Sequence, residues 1–248
     1  MNNQYDIKKW EQAGTGNLFI WKFFLAGKEM SSWKLTESFD RDKFRNGTVK
    51  EYYLENNENK DEAVKIDIIE CASGSDARET LLFMLQNHMG PMLPAASEKN
   101  IRFGDAAYTG LADIEQHILF IRANMLVVLN SIGNKDIPVT EIAGRLDEIF
   151  YKKPQPTEKG ISPFIASFSL AEQISILRDR KAQVINIKVI DLLERPVWFK
   201  FFIEKGEIFS ENDQLFFTGD TTGNKLSVFA TSENGFVSEK TIDLETGN

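Results

Sequence analysis

Apolar and polar residues alternate over Ala63–Glu70, with Val64, Ile66 and Ile68 on one face and Lys65 and Asp67 on the other. That is the pattern of a half-buried antiparallel strand. Strands are also predicted over Trp33–Phe39 and Thr48–Leu54, with a polar turn at Arg41–Asn46 and a charged hairpin loop at Asn56–Glu62. Leu18–Leu25 is aromatic-rich and reads equally as a buried strand or a short helix. At Ser73–Asp76 the period changes. Ser75 is predicted to cap a helix whose dipole Asp76 complements. Leu81, Leu82, Met84, Leu85 and Met89 follow at helical spacing until Gly90-Pro91. Ile101–Tyr108 predicts a strand with a bulge at Gly104. His117–Leu129 is long and apolar, and reads either as one strand or as two turning at Ala123-Asn124. Asp136–Phe150 predicts an amphipathic helix with Ile142, Leu146, Ile149 and Phe150 inside and Glu141, Arg145 and Asp147 outside. Short gaps between strands predict an antiparallel sheet with both helices on one face, an α+β arrangement.

The style changes at Lys152–Pro163, where Pro154, Pro156, Gly160 and Pro163 sit among charged residues. Each proline removes a backbone donor and fixes φ, so this stretch predicts a stiff linker. Beyond it, strand-like runs recur at roughly ten-residue intervals, the rhythm of a sandwich. They are Ile174–Arg178, Gln183–Ile190, Val197–Ile203, Leu215–Thr218, Lys225–Thr231 and Phe236–Leu244. The expected organisation is an α+β domain over 1–151, a linker over 152–163 and an all-β domain over 164–248.

Two resemblances add to this reading. Phe103-Gly104-Asp105-Ala106-Ala107, Ile118 to Asn124 with its apolar continuation to Leu129, and Ile142-Ala143-Gly144-Arg145-Leu146-Asp147 form a spaced pattern. It is similar to small exported bacterial lipoprotein and sensor-like α+β domains of unknown function, over about residues 64–150. The resemblance implies an extracytoplasmic setting and no catalytic residues. In the second half, Trp198-Phe199-Lys200-Phe201, Thr218-Gly219, Thr222 to Ala230 and Glu233-Asn234-Gly235 resemble bacterial immunoglobulin-like domains of the cadherin or PKD type. That resemblance implies an immunoglobulin-like sandwich, but there is no cysteine pair and the acidic positions do not complete a cadherin-like calcium motif.

A net charge of −8 and a pI near 5.0 argue against a nucleic-acid partner, which needs a clustered basic surface. Cys71 is the only cysteine, so no internal disulfide forms. It is expected to fill a gap between sheet and helix, its pKa raised by Glu70. Leu18–Ala26 is too short for a membrane span, which takes roughly 20 residues, and Lys22 interrupts it. Preceded by mostly polar residues including Asp6 and Glu11, the same stretch is not expected to act as a signal peptide. The chain is therefore expected outside the cytoplasm if an export signal has been removed upstream of Met1, and otherwise in the cytoplasm.

The remaining candidates have plainer readings. Asp213, Asp220 and Glu233 fall in turns, where calcium would need six or more oxygens. Asp67 and Glu70 have unlike strand parity and make a poor acid–base pair. Asp105 reads as a pocket residue or as a cap. Asn46-Gly47-Thr48 fits a glycosylation sequon but is first a turn. Tyr52, Tyr53, Trp33 and Trp198 stack on sugars if exposed and otherwise fill a core. No catalytic, cofactor-binding or metal-ligating residue is assigned, and no cofactor. The expected function is a non-enzymatic, exported or envelope-associated bacterial binding or accessory protein with a protein or carbohydrate partner. The alternatives are an enzyme with a dispersed carboxylate site and a cytoplasmic inhibitor or immunity-type partner protein.

Overall fold

The computed structural model describes residues 5, 10, 17–26, 30, 32–45, 47–88, 91–99, 101–110, 115–157 and 160–245. It is built mostly of antiparallel sheets, with two α-helices among the described residues. The chain divides into two compact units, Met1–Thr15 with Leu25–Lys152, and Gly16–Phe24 with Lys153–Asn248.

The first unit holds one six-stranded sheet of β2 (Trp33–Phe44), β3 (Gly47–Asn56), β4 (Ala63–Cys71), β7 (Met125–Ser131), β6 (His117–Arg122) and β5 (Ala106–Thr109), in that spatial order. The polar run Arg41–Phe44 continues β2 instead of turning. β2 is an edge strand, so charged side chains on it stay in water. Helix α1 spans Gly74–Gln86 and α2 spans Thr140–Tyr151. Ser73, not Ser75, caps α1, accepting from the Asp76 amide at 3.1 Å and donating to Asp76 Oδ2 at 2.7 Å. This reciprocal Ser-x-x-Asp arrangement satisfies the helix start two residues earlier than Ser75 would. Leu81 and Leu85 carry the buried stripe, and Met89 lies outside the described residues.

The helices lie on opposite faces, contrary to the one-face expectation. Leu81 of α1 joins a core with Leu119, Ile121, Leu126 and Val128. Phe150 of α2 meets Phe120, of opposite parity, at 6.4 Å between ring centroids. β6 and β7 are therefore buried on both sides. A strand covered on both faces reads as a continuous apolar run, which is why His117–Leu129 lacks alternation. The run forms two strands, and the positive φ of the turn falls on Ala123 (54°), not on Asn124.

The second unit has two four-stranded antiparallel sheets. One pairs β1 (Leu18–Trp21), β10 (Val197–Ile203), β13 (Lys225–Ser232) and β14 (Val237–Asp243) in that order. The other pairs β11 (Glu207–Glu211), β12 (Gln214–Thr218), β9 (Arg180–Ile190) and β8 (Phe164–Leu177). One apolar core draws on both sheets, including Phe19, Phe168, Ile185, Phe201, Phe217 and Val228. Strand β8 starts ten residues before Ile174, its first half hidden from a period-two reading by a register shift between Ile165 and Ser167. β11 is an addition to the expected strands.

β1 comes from far upstream, although residues 1–151 were expected to stay together. Leu18 to Trp21 pair with Phe202 to Phe199. The 152–163 stretch is bonded to the second unit. Thr157 and Val237 exchange bonds of 3.0 Å, and Ser238 Oγ donates to Pro163 O. A tryptic nick after Lys152 should therefore leave two pieces that co-elute in native gel filtration and separate only in denaturant, because β1 travels with the N-terminal piece. Two pieces eluting apart under native conditions would contradict this strand exchange.

Candidate functional site

The three motif segments of the first unit converge on one ion network. Gly104 adopts φ +68°, and a Cβ there would stand 2.7 Å from the Ile121 carbonyl oxygen. Only glycine fits that left-handed, close-packed turn, which delivers Asp105 to the end of β6. Arg122 Nη1 donates to Asp105 Oδ1 at 2.8 Å, and its Nε and Nη2 donate to Asp147 at 2.7 and 2.8 Å. The other Asp105 oxygen accepts the Ala123 amide at 2.7 Å. That bond stabilises an alanine in a conformation that costs an L-residue about 1–2 kcal/mol. The Arg122, Asp105 and Asp147 side chains are 14%, 3% and 6% exposed. Burial opposes the Arg122 charge, but its bonds to Asp147 and Asp105 outweigh this and hold it above its ordinary pKa. Asp147, expected outside, is buried. It stands four residues after Ala143, on the inner side of α2.

Two recesses adjoin at Arg102 and Phe103. The smaller, of about 420 Å³, is lined by Trp33, Phe103, Gly144 and Tyr151 together with five charged side chains, including Asp147. The larger, of about 760 Å³, is lined by Trp10, Tyr108, Asp105 and Arg122. Both volumes fall within the range of ligand pockets, about 300–1,000 Å³. Arg122 stacks 5.4 Å from the Tyr151 ring centroid, and Trp10 donates its indole N–H to the Tyr108 hydroxyl at 3.1 Å. Arg145 pairs with Glu148 at 3.1 Å. Arg102 and Glu141 are exposed and form no ion pair among the described residues. Asp105 and Asp147, the carboxylates buried in this region, are thus tied to one guanidinium.

The other candidates scatter. Asp105 lines the larger recess and accepts the amide of the Ala123 turn. Of the aromatic candidates, only Trp33 lines a recess described above. Tyr52 is buried and accepts the Leu25 amide at 3.1 Å, and Tyr53 packs edge-on against Phe39. Trp198 is buried on the face of β10 turned away from the opposing sheet, 5.1 Å from Phe23. Asp213 pairs with Lys22, and Asp220 accepts the Thr222 amide. Among the described residues no group of three or more His, Cys, Asp or Glu could hold a metal. Asn46 of the sequon lies outside the described residues.

Asp67 stands opposite Glu51 across β3 and β4, and Lys65 reaches both, at 3.1 and 2.8 Å. Burial pushes Asp67 up, while the bonds from Arg41 and Lys65 pull Glu51 down. Cys71 is buried at the end of β4 against α1, in one core with Ala77 and Leu81. Burial pushes its thiol up to about 12, with Asp76 and Glu70 adding to the effect of burial. His88 and His117 stack at 6.4 Å, and His117 bonds to Asn130 at 2.6 Å.

No family model matches the chain, no enzyme family among them, and no curated protein or solved structure matches it. Among the described residues no helix is long and apolar enough to cross a membrane. Arg102, Arg122, Gly144 and Tyr151 were not singled out as site residues from sequence. The available signals were a lone cation ending the apolar run of β6 and a glycine in mid-helix.

Proposed function

We propose that this protein is a non-enzymatic binding or accessory protein, exported or envelope-associated in a bacterium, which holds a small ligand in the first unit. The second unit is read as an immunoglobulin-like sandwich, a module that serves as spacer or support. The observation that carries the reading is the pair of recesses meeting at Arg102 and Phe103, with Asp105 in one, Asp147 in the other and Arg122 bonded to both. A charged network beside aromatic walls and a surface cation, Arg102, that forms no ion pair among the described residues is the composition of a preformed ligand site. Asp105 and Asp147 share Arg122, which favours binding over acid–base chemistry.

The test is a ligand-observed NMR screen of a mixed panel of saccharides, amino acids, nucleotides and short peptides. The panel is run against the wild type and against Arg102→Ala combined with Phe103→Ala. At least one class should bind the wild type and lose at least tenfold in affinity with the double variant. Equal binding to both proteins would move the site elsewhere.

A further inference from the structure

Gly144 occupies the interior of α2, where glycine is among the poorest helix formers. Two structural reasons for a glycine are missing here. Its φ is not in the left-handed region, and outside its own helix backbone and chain neighbours a Cβ built on it would meet no heavy atom of the described residues within 4 Å. Gly144 lines the smaller recess. Among the described residues nothing outside its own helix packs over this position, which opens onto the recess.

The walls indicate what the recess takes. Trp33, Phe103 and Tyr151 supply aromatic faces, and Arg102, Glu141, Arg145, Asp147 and Glu148 supply donors and acceptors. With Arg122, shared by Asp147 and Asp105, and Lys152 at Glu148, the formal charges cancel, four cations against four anions. A phosphate or other anion would need a net positive site. A hydrocarbon ligand would strand charged groups away from water. A neutral molecule with many hydroxyls and one carbon-bearing face satisfies both walls. Its C–H edge is attracted to the negative face of an aromatic ring, and its hydroxyls bond to carboxylates and guanidinium groups. We infer that the recess over Gly144 binds a pyranose ring of a neutral saccharide. This inference rests on the ligand-site reading above. The adjoining recess at Arg102 and Phe103 gives room for further sugar units.

Maltotetraose, cellotetraose and N-acetylchitotetraose are titrated into the wild type, Gly144→Ala and Phe103→Ala, with thermal melts of each protein. At least one saccharide should bind the wild type. Gly144→Ala should weaken it at least tenfold while raising Tm by about 2–4 °C, as expected for a relieved helix glycine. Phe103→Ala should weaken it at least threefold. Undiminished binding by Gly144→Ala, or a lowered Tm, would overturn the inference. Binding of an amino acid or nucleotide at Arg102 with none of the three saccharides would overturn the sugar assignment and leave the ligand site standing. Failure of the saccharides and of every other class would overturn both.

Discussion

Replacing Arg122 by alanine should destabilise the first unit by about 3–5 kcal/mol, the usual cost of removing one partner from a buried ion pair. The change strands Asp105 and Asp147, whose side chains are 3% and 6% exposed. Three charge-assisted bonds of 2.7–2.8 Å are lost at once. Asp105 also fixes the Ala123 turn through its amide bond, so the β6–β7 connection should loosen with it. Arg122→Lys should recover only part of the loss, because an ammonium cannot make the bidentate contact to Asp147. Arg122→Ala combined with Asp147→Ala should be less destabilised than the sum of the single variants, since the stranded charge leaves with its partner. Denaturant unfolding measures all of these. A loss below about 1 kcal/mol for Arg122→Ala would mean that water replaces the guanidinium, as at a surface pair.

Trp198→Ala should destabilise the second unit by about 3–5 kcal/mol, the range for deleting a large buried aromatic. By the usual scaling for a unit of about 100 residues, about 4 °C per kcal/mol, this lowers Tm by roughly 12–20 °C. Trp198 is 3% exposed and meets Phe23 edge to face at 5.1 Å. The buried Lys200 ammonium also lies 5.3 Å from the indole, a cation–π contact that vanishes with the ring. Trp198→Phe keeps an aromatic against Phe23 and should cost less than half as much. A loss below about 1 kcal/mol for Trp198→Ala would show that the face it occupies is accessible to water.

Strand periodicity was legible wherever one sheet face meets water. Val64, Ile66 and Ile68 alternate with Lys65 and Asp67 because only the first three are in the core. Alternation disappears in β6 and β7, since helices cover both faces there, so the helices could not be assigned to sides. The capping choice between Ser73 and Ser75 turned on a reciprocal bond to Asp76 that propensity alone does not resolve. β1 was unreadable as a member of the second unit because its partner, Val197–Ile203, is remote in sequence. The site was half legible. Gly104-Asp105, Arg122 and Asp147 stood in the spaced pattern, but their convergence depends on tertiary pairing. Asp147 looked solvent-facing beside Arg145 and Glu148, although its distance of four residues from Ala143 places it on the buried side. Gly144 carried no reading in the sequence, because its place on a recess depends on what surrounds the helix.

Backbone-amide chemical-shift mapping of the full chain with the tightest-binding panel member locates the ligand residue by residue. The largest shifts should cluster at Trp33, Arg102, Phe103, Gly144 and Tyr151. Shifts confined to β8–β14, or no binding by any member of the panel, would contradict the ligand site proposed for the first unit.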